Sequence, residues 1–146
     1  MDEAVIKYYR RSLREGFEHA GQLQNPSIFL DSAAEGIRVC GHSTGHMHIF
    51  INVSDSTIDD IKYLCSCDPT ANVSVEVLCD LVKGKTFEEV ATMTEDSFLQ
   101  VVGSKGEELR EKAKGLLELL NRGLMRYQTQ TSQDSSPGAT PDEKAR

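Results

Sequence analysis

A predicted strand pair that leads directly into a helix start constrains the fold of this chain most. Residues 48–53 and 58–64 alternate apolar and polar side chains, which is typical of half-buried strands, and Ser54-Asp55-Ser56 between them predicts a turn. Asp68-Pro69 then places a capping carboxylate before a proline, the usual order at a helix N-terminus, and the helix is predicted to run to about Val82. We therefore expect an antiparallel hairpin followed by a helix.

The flanking segments complete the predicted fold. Apolar spacing predicts a first helix over 3–20, and an extended segment is expected at 36–39. Two capping boxes, which begin at Thr86 and Ser104, predict a short helix and a long helix to about Arg126. The expected class is α+β: a small antiparallel β-sheet of about three strands packed by helices on one side, with a long C-terminal helix. One domain over 1–126 and a disordered polar tail over 127–146 are expected.

Charge and hydropathy narrow the classes of function. The net charge of −7 argues against a nucleic-acid surface, which requires a basic face. No stretch approaches the roughly 20 apolar residues of a membrane span, and the acidic start at Asp2 and Glu3 lacks the order of a secretory signal. A cytoplasmic protein with reduced thiols is expected, and it is expected to bind neither nucleic acid nor membrane.

Soft metal-binding side chains are concentrated in one part of the chain. All four cysteines and three of the four histidines lie between Cys40 and Cys79. Thiolate and imidazole are the protein groups that best bind zinc, copper(I) and the iron of iron–sulfur clusters. Cys67 directly precedes the predicted helix, whose N-terminus lowers a thiol pKa. The cluster therefore predicts metal or sulfur chemistry.

Three further residues of this window have two interpretations each. His46 and His48 fit solvent-facing positions of an alternating strand, and the same pair can bind a metal. Cys79 lies among apolar residues of the predicted helix and is predicted to be a buried small hydrophobic residue rather than a ligand.

The order of these pieces resembles the IscU/NifU-type iron–sulfur cluster assembly scaffold family over roughly residues 5–125. The most specific match is the run from Leu81 to Val90, which is similar to the V-K-G-K-T-x-x-E segment of that family. The other matching pieces are Tyr8-Tyr9, His19-Ala20-Gly21, Cys40-Gly41, the hairpin, the cysteine before the helix and the final long helix.

The resemblance implies a set of site residues, with one departure from the family pattern. Cys40 and Cys67 match the first two family cysteines, and His42 takes the place of the family aspartate. The third family cysteine has no counterpart, since Lys105-Gly106-Glu107 stands there, and Cys65 is the candidate to replace it. The expected cofactor-binding and metal site is therefore Cys40, His42, Cys65 and Cys67, with no catalytic residues.

The function implied by the resemblance is that of a non-enzymatic scaffold or carrier. It would hold a transient iron–sulfur cluster, of the 2Fe–2S type, built with sulfur from a cysteine desulfurase and passed to apo iron–sulfur acceptor proteins. The alternative is a zinc protein of SufU type that accepts sulfur, because four nitrogen and sulfur ligands suit Zn(II). A dithiol redox protein or sulfurtransferase using Cys65 and Cys67 ranks below both, and an interaction module with incidental cysteines is the remaining hypothesis.

Overall fold

The predicted hairpin and the helix after it form the centre of the computed structural model, which describes residues 2–39 and 45–134. The elements in chain order are α1 (Glu3–Glu15), β1 (Ile28–Asp31), β2 (Met47–Ser54), β3 (Thr57–Cys65), α2 (Pro69–Val82), α3 (Phe87–Ala91), α4 (Asp96–Val102) and α5 (Glu107–Asp134).

The three strands form one antiparallel sheet in the order β1-β2-β3. The hairpin register pairs Ile51 with Ile61, and a bulge at Asn52/Val53 shifts the pairing near the turn. Asp55 and Ser56 have φ values of +51° and +58°, the left-handed conformation that two-residue hairpin turns favour. The strand alternation in the sequence is thus realised as one hairpin, with β1 added at its edge.

One face of the sheet carries the core. Met47, Ile49 and Ile51 of β2 are fully buried, and they alternate with residues such as His48 that point to the opposite face. Helix α2 is buried along most of its length because the sheet lies on one side of it and α5 on another. The predicted α+β class, with about three strands and a long C-terminal helix, is confirmed.

The third strand does not lie where an extended segment was predicted. It is β1, Ile28–Asp31, whereas residues 37–39 have no regular secondary structure. Four residues are too few to show a clear alternation of apolar and polar side chains, which is why the sequence did not predict this strand. It is defined by its pairing with β2. The side chains of Ile37 and Val39 are nevertheless buried, which explains the apolar pattern of that segment.

Two helix boundaries also differ from the predictions. Helix α1 ends at Glu15 rather than near residue 20, because Gly16 adopts a φ of +99° that stops the helix. Leu13, which has the helical spacing of the apolar residues Val5 and Tyr9, is nevertheless 59% exposed. Helix α2, by contrast, has the predicted bounds, with Asp68 as its N-cap.

Helix α5 begins at Glu107, the last residue of the predicted capping box, and continues to Asp134 instead of ending near Arg126. Beyond Tyr127 it has no apolar pattern, and Thr131 bonds back to the Tyr127 carbonyl. The division of the chain into a domain over 1–126 and a disordered tail over 127–146 stays a prediction. Within the described ranges, no helix combines the length and apolar character that crossing a membrane requires.

Candidate metal centre

Two of the four predicted ligands lie at the end of β3. Cys65 is the last residue of the strand, opposite Met47 in register, and Cys67 follows two residues later. Both side chains are partly buried and pack against the edge of the core. Burial raises the pKa of the Cys65 thiol, with the backbone of Cys67 acting in the opposite direction. A bound cation would offset this burial cost, because a metal ion favours the thiolate.

The residue after Cys67 connects the cysteine segment to α2. Asp68 caps the helix, since its Oδ1 accepts a hydrogen bond of 2.8 Å from the Ala71 amide. Its other oxygen, Oδ2, lies 3.5 Å from the ammonium nitrogen of Lys112 on α5. The carboxylate therefore has the capping role that the sequence predicted, and it holds an ion pair as well.

The chain on either side of residues 40–44 touches this same segment. On the N-terminal side, the Val39 carbonyl accepts a hydrogen bond from the Lys112 ammonium, which also pairs with Asp68. On the C-terminal side, the His46 carbonyl oxygen accepts from the Ser66 amide at 3.0 Å and lies 3.2 Å from Sγ of Cys67. Cys40 and His42 themselves lie outside the described residues.

Lys112 is a site residue that the sequence analysis missed. It was overlooked because a single lysine in a charged helix normally lies on the solvated face. Its position three residues after Leu109 and four before Leu116, both fully buried, puts it on the inward stripe of α5. A charged residue at the spacing of an apolar stripe is the sequence signal by which Lys112 could have been identified.

Residues 104–106 lie where the sequence resemblance predicted other residues in place of a third family cysteine, and they make other contacts. Ser104 donates a hydrogen bond of 2.7 Å to the Asp2 carboxylate, and a Cβ added at Gly106 would meet that same carboxylate. These residues precede α5 and pack against the start of α1. Lys112, further along α5, is the residue that reaches Val39 and Asp68.

Cys79 is fully buried in α2. Burial raises the pKa of its thiol well above the ordinary value, so the neutral form is strongly favoured. The prediction of a buried small hydrophobic residue is confirmed.

A second group of donor atoms lies between α1 and α2. Within the described part of the chain, Glu18, His19 and Asp80 each offer a ligand atom within 4.8 Å of the others. His19 is only 4% exposed, and its Nε2 lies 2.7 Å from Asp80 Oδ1. Its amide donates to the buried Glu76 carboxylate, which also accepts from the Tyr63 hydroxyl at 3.0 Å. These contacts hold the segment after α1 against α2 and β3, so we interpret the group as having a structural role.

The comparisons with known proteins agree on one family. The family model described as NifU-like N terminal domain matches residues 3–134. Two curated proteins of Archaeoglobus fulgidus, named iron-sulfur cluster assembly scaffold proteins IscU 1 and IscU 2, are each 28% identical over 114 residues, covering 76% of this chain and 72% of the relative.

Solved structures share the fold. The N-terminal part of a NifU-like protein from Brucella abortus aligns with a TM-score of 0.55 at 11% identity, covering 88% of this chain and 94% of that one. A putative iron-sulfur cluster assembly scaffold protein for the SUF system from Fervidobacterium islandicum aligns with a TM-score of 0.55 at 14% identity, covering 86% of this chain and 94% of that one. At these identities the likeness concerns the fold alone. The match over residues 3–134 shows that the chain belongs to the NifU-like N-terminal domain family of iron–sulfur cluster assembly scaffolds.

Proposed function

We propose that this protein holds a transient iron–sulfur cluster, of the 2Fe–2S type, on Cys40, His42, Cys65 and Cys67. The cluster is cargo: a cysteine desulfurase supplies its sulfur, and apo iron–sulfur proteins receive it. The protein then acts as a scaffold or carrier in the cytoplasm, where thiols stay reduced, and not as an enzyme.

The observation that carries this proposal is the way in which the described residues on either side of 40–44 are held. The residue before them, Val39, and the second residue after them, His46, both contact the segment 66–68 or the lysine bound to it. Val39, the residue before Cys40 in the sequence, is thus held beside the segment that carries Cys67. This supports one centre shared by the two cysteines that match the family pattern.

The surroundings of the cysteines suit a centre that must be released again. Cys65 and Cys67 lie at the edge of the core, partly exposed, so a bound cluster would remain within reach of partner proteins. Thiolate-bound clusters are anionic, and the Lys112 ammonium next to Asp68 supplies a nearby positive charge. Three thiolates and one imidazole give the four ligands that such a cluster uses.

A specific observation also favours the zinc alternative. Asp68 is engaged in the α2 cap and in the Lys112 ion pair, so the proposed ligand set contains sulfur and nitrogen atoms only. Three cysteines and one histidine form a common tetrahedral zinc site. A protein that held Zn(II) there would accept sulfur from the desulfurase without building a cluster.

The deciding experiment combines anaerobic reconstitution with metal and sulfide analysis. The full chain is incubated with iron(II), cysteine, a cysteine desulfurase and a thiol reductant that reduces the persulfide sulfur to sulfide, and iron, zinc, acid-labile sulfide and visible absorption are measured. We expect a coloured protein with iron and sulfide in equal amounts. A colourless protein that retains zinc and no sulfide would favour the zinc alternative, and retention of neither would rule out both functions.

Single substitutions test the ligand set. Cys40→Ser, Cys65→Ser and Cys67→Ser should each reduce the bound sulfide strongly, and His42→Ala should reduce it or speed its loss. Cys79→Ala is the matched control, since Cys79 is fully buried away from solvent. An unchanged sulfide content in Cys65→Ser would remove that residue from the proposed set.

A further inference from the structure

Two imidazoles lie side by side on the sheet face opposite the helices. His46 directly precedes β2 and His48 is its second residue, so their side chains leave the strand on the same face. Their ring centroids are 4.9 Å apart. His46 is exposed and His48 is partly exposed, so solvent reaches this histidine pair.

The contacts around the pair orient both rings. The Ser66 hydroxyl lies 2.8 Å from Nδ1 of His46, and when that nitrogen carries the proton, the lone pair of Nε2 is directed away from Ser66. His48 packs against Phe29 with 5.3 Å between ring centroids. Its Nε2 lies 3.7 Å from Oδ2 of Asp31, whose other oxygen accepts from the Ala33 amide at 3.0 Å.

We propose that His46 and His48, with Asp31 as a third ligand, bind one divalent first-row transition-metal ion. Metal–nitrogen bonds of about 2.0–2.1 Å require two donor atoms on one ion to lie within about 4 Å of each other. The 3.7 Å between His48 Nε2 and Asp31 Oδ2 already meets this requirement. The exposed ring of His46 is adjacent, and it completes the site by turning about its side-chain bonds, which exchanges its contact with Ser66 for the ion.

The chemistry of the donors sets the class of ion. Two imidazoles and a carboxylate suit zinc, nickel, copper(II) and iron(II), whereas calcium and magnesium prefer oxygen ligands.

This site is separate from the thiolate centre of the proposed function. Cys65 pairs with Met47 on the core face of the sheet, whereas His48 points to the other face. The inference does not depend on the proposed function, although the His46 carbonyl touches Cys67 and the two sites are neighbours.

The test removes the thiolates so that only this site remains. The full chain carrying Cys40→Ser, Cys65→Ser and Cys67→Ser is titrated with Ni(II) by calorimetry, and the imidazole proton resonances are followed by NMR. We expect one bound ion and broadening of the His46 and His48 signals. Adding His46→Ala or His48→Ala should weaken binding by at least about tenfold, and Asp31→Asn should weaken it less.

The control is Asp59→Asn in the same background, at an exposed carboxylate of β3 outside both sites, which should leave the affinity unchanged. His42→Ala in that background tests whether the ion uses the other ligand set instead. Absence of Ni(II) binding, or binding that is lost with His42 and kept without His46 and His48, overturns the inference. If the triple variant does not fold, the wild-type protein with one equivalent of Zn(II) on its thiolates is titrated instead, with the same expectations. A wild-type protein that assembles no cluster while the triple variant binds Ni(II) would sink the proposed function and leave this inference standing.

Discussion

The ammonium of Lys112 lies 3.5 Å from the carboxylate of Asp68 and joins the second turn of α5 to the N-cap of α2. Both side chains are largely covered, at 15% and 25% exposure, so solvent screens the pair less than it would a surface ion pair. Since the same ammonium bonds the Val39 carbonyl, this one side chain holds two segments that carry predicted ligands.

Lys112→Met should lower the free energy of unfolding by about 1–3 kcal/mol. Methionine keeps the packing of the aliphatic stem but leaves the Val39 carbonyl and the Asp68 carboxylate without this donor. Urea unfolding measures the change. Lys114→Met, at an exposed position of the same helix, is the control and should change stability by less than about 0.5 kcal/mol. Equal effects of the two substitutions would contradict the role given to Lys112.

Asp68→Asn and Asp68→Ala should separate the two roles of this residue. Asparagine retains an oxygen for the Ala71 amide and loses the charge, whereas alanine loses the cap as well. We expect Asp68→Ala to cost about 1 kcal/mol more than Asp68→Asn in thermal or urea unfolding. If the two variants were equally stable, the hydrogen bond from Ala71 would contribute nothing measurable.

Gly123→Ala and Gly115→Ala should have opposite effects, although both add one methyl group to α5. A Cβ at Gly123 would lie 2.6 Å from Cδ2 and 3.2 Å from Cγ of Leu30, whose side chain is fully buried in β1. Steric overlap should destabilise that variant by about 1–3 kcal/mol. At Gly115 the nearest atom is 3.7 Å away, so the higher helix propensity of alanine should stabilise by up to about 1 kcal/mol. Thermal unfolding of both variants checks the signs, and stabilisation by Gly123→Ala would show that α5 and β1 are packed less closely than described.

Glu76→Gln should flatten the dependence of stability on pH. Burial raises the pKa of Glu76 above its ordinary value of 4.5, with hydrogen bonds from Tyr63 and the His19 amide acting in the opposite direction. A carboxyl group with a raised pKa in the fold contributes stability below pH 4.5 that is lost as the pH rises through the folded-state pKa. Glutamine keeps the acceptor oxygen and cannot ionise. Urea unfolding between pH 4.5 and pH 7 should therefore show a smaller fall for the variant, and an identical slope would refute the assignment.

The elements with strong local signals were predicted closely. The bounds of α2 follow from the Asp68-Pro69 start, and the capping box at Thr86 and Glu89 forms as predicted. Cys79 is buried as its apolar neighbours indicated. Strand β1 was not predicted, because its four residues gain their structure from pairing with β2 rather than from their own pattern.

The features of the candidate site also fall into those that the sequence predicted and those that depend on tertiary contacts. The sequence by itself determined that soft ligands are concentrated between Cys40 and Cys79, that Cys65 and Cys67 precede a capped helix, and that the chain resembles the scaffold family to which it belongs. Such features are local, and a few neighbouring residues suffice to encode them. Only the tertiary structure decided that Lys112 reaches Asp68 from α5 and that His48 meets Asp31 across two strands. These contacts join residues far apart in the chain, so they depend on how helices and strands pack, which no short stretch of sequence specifies.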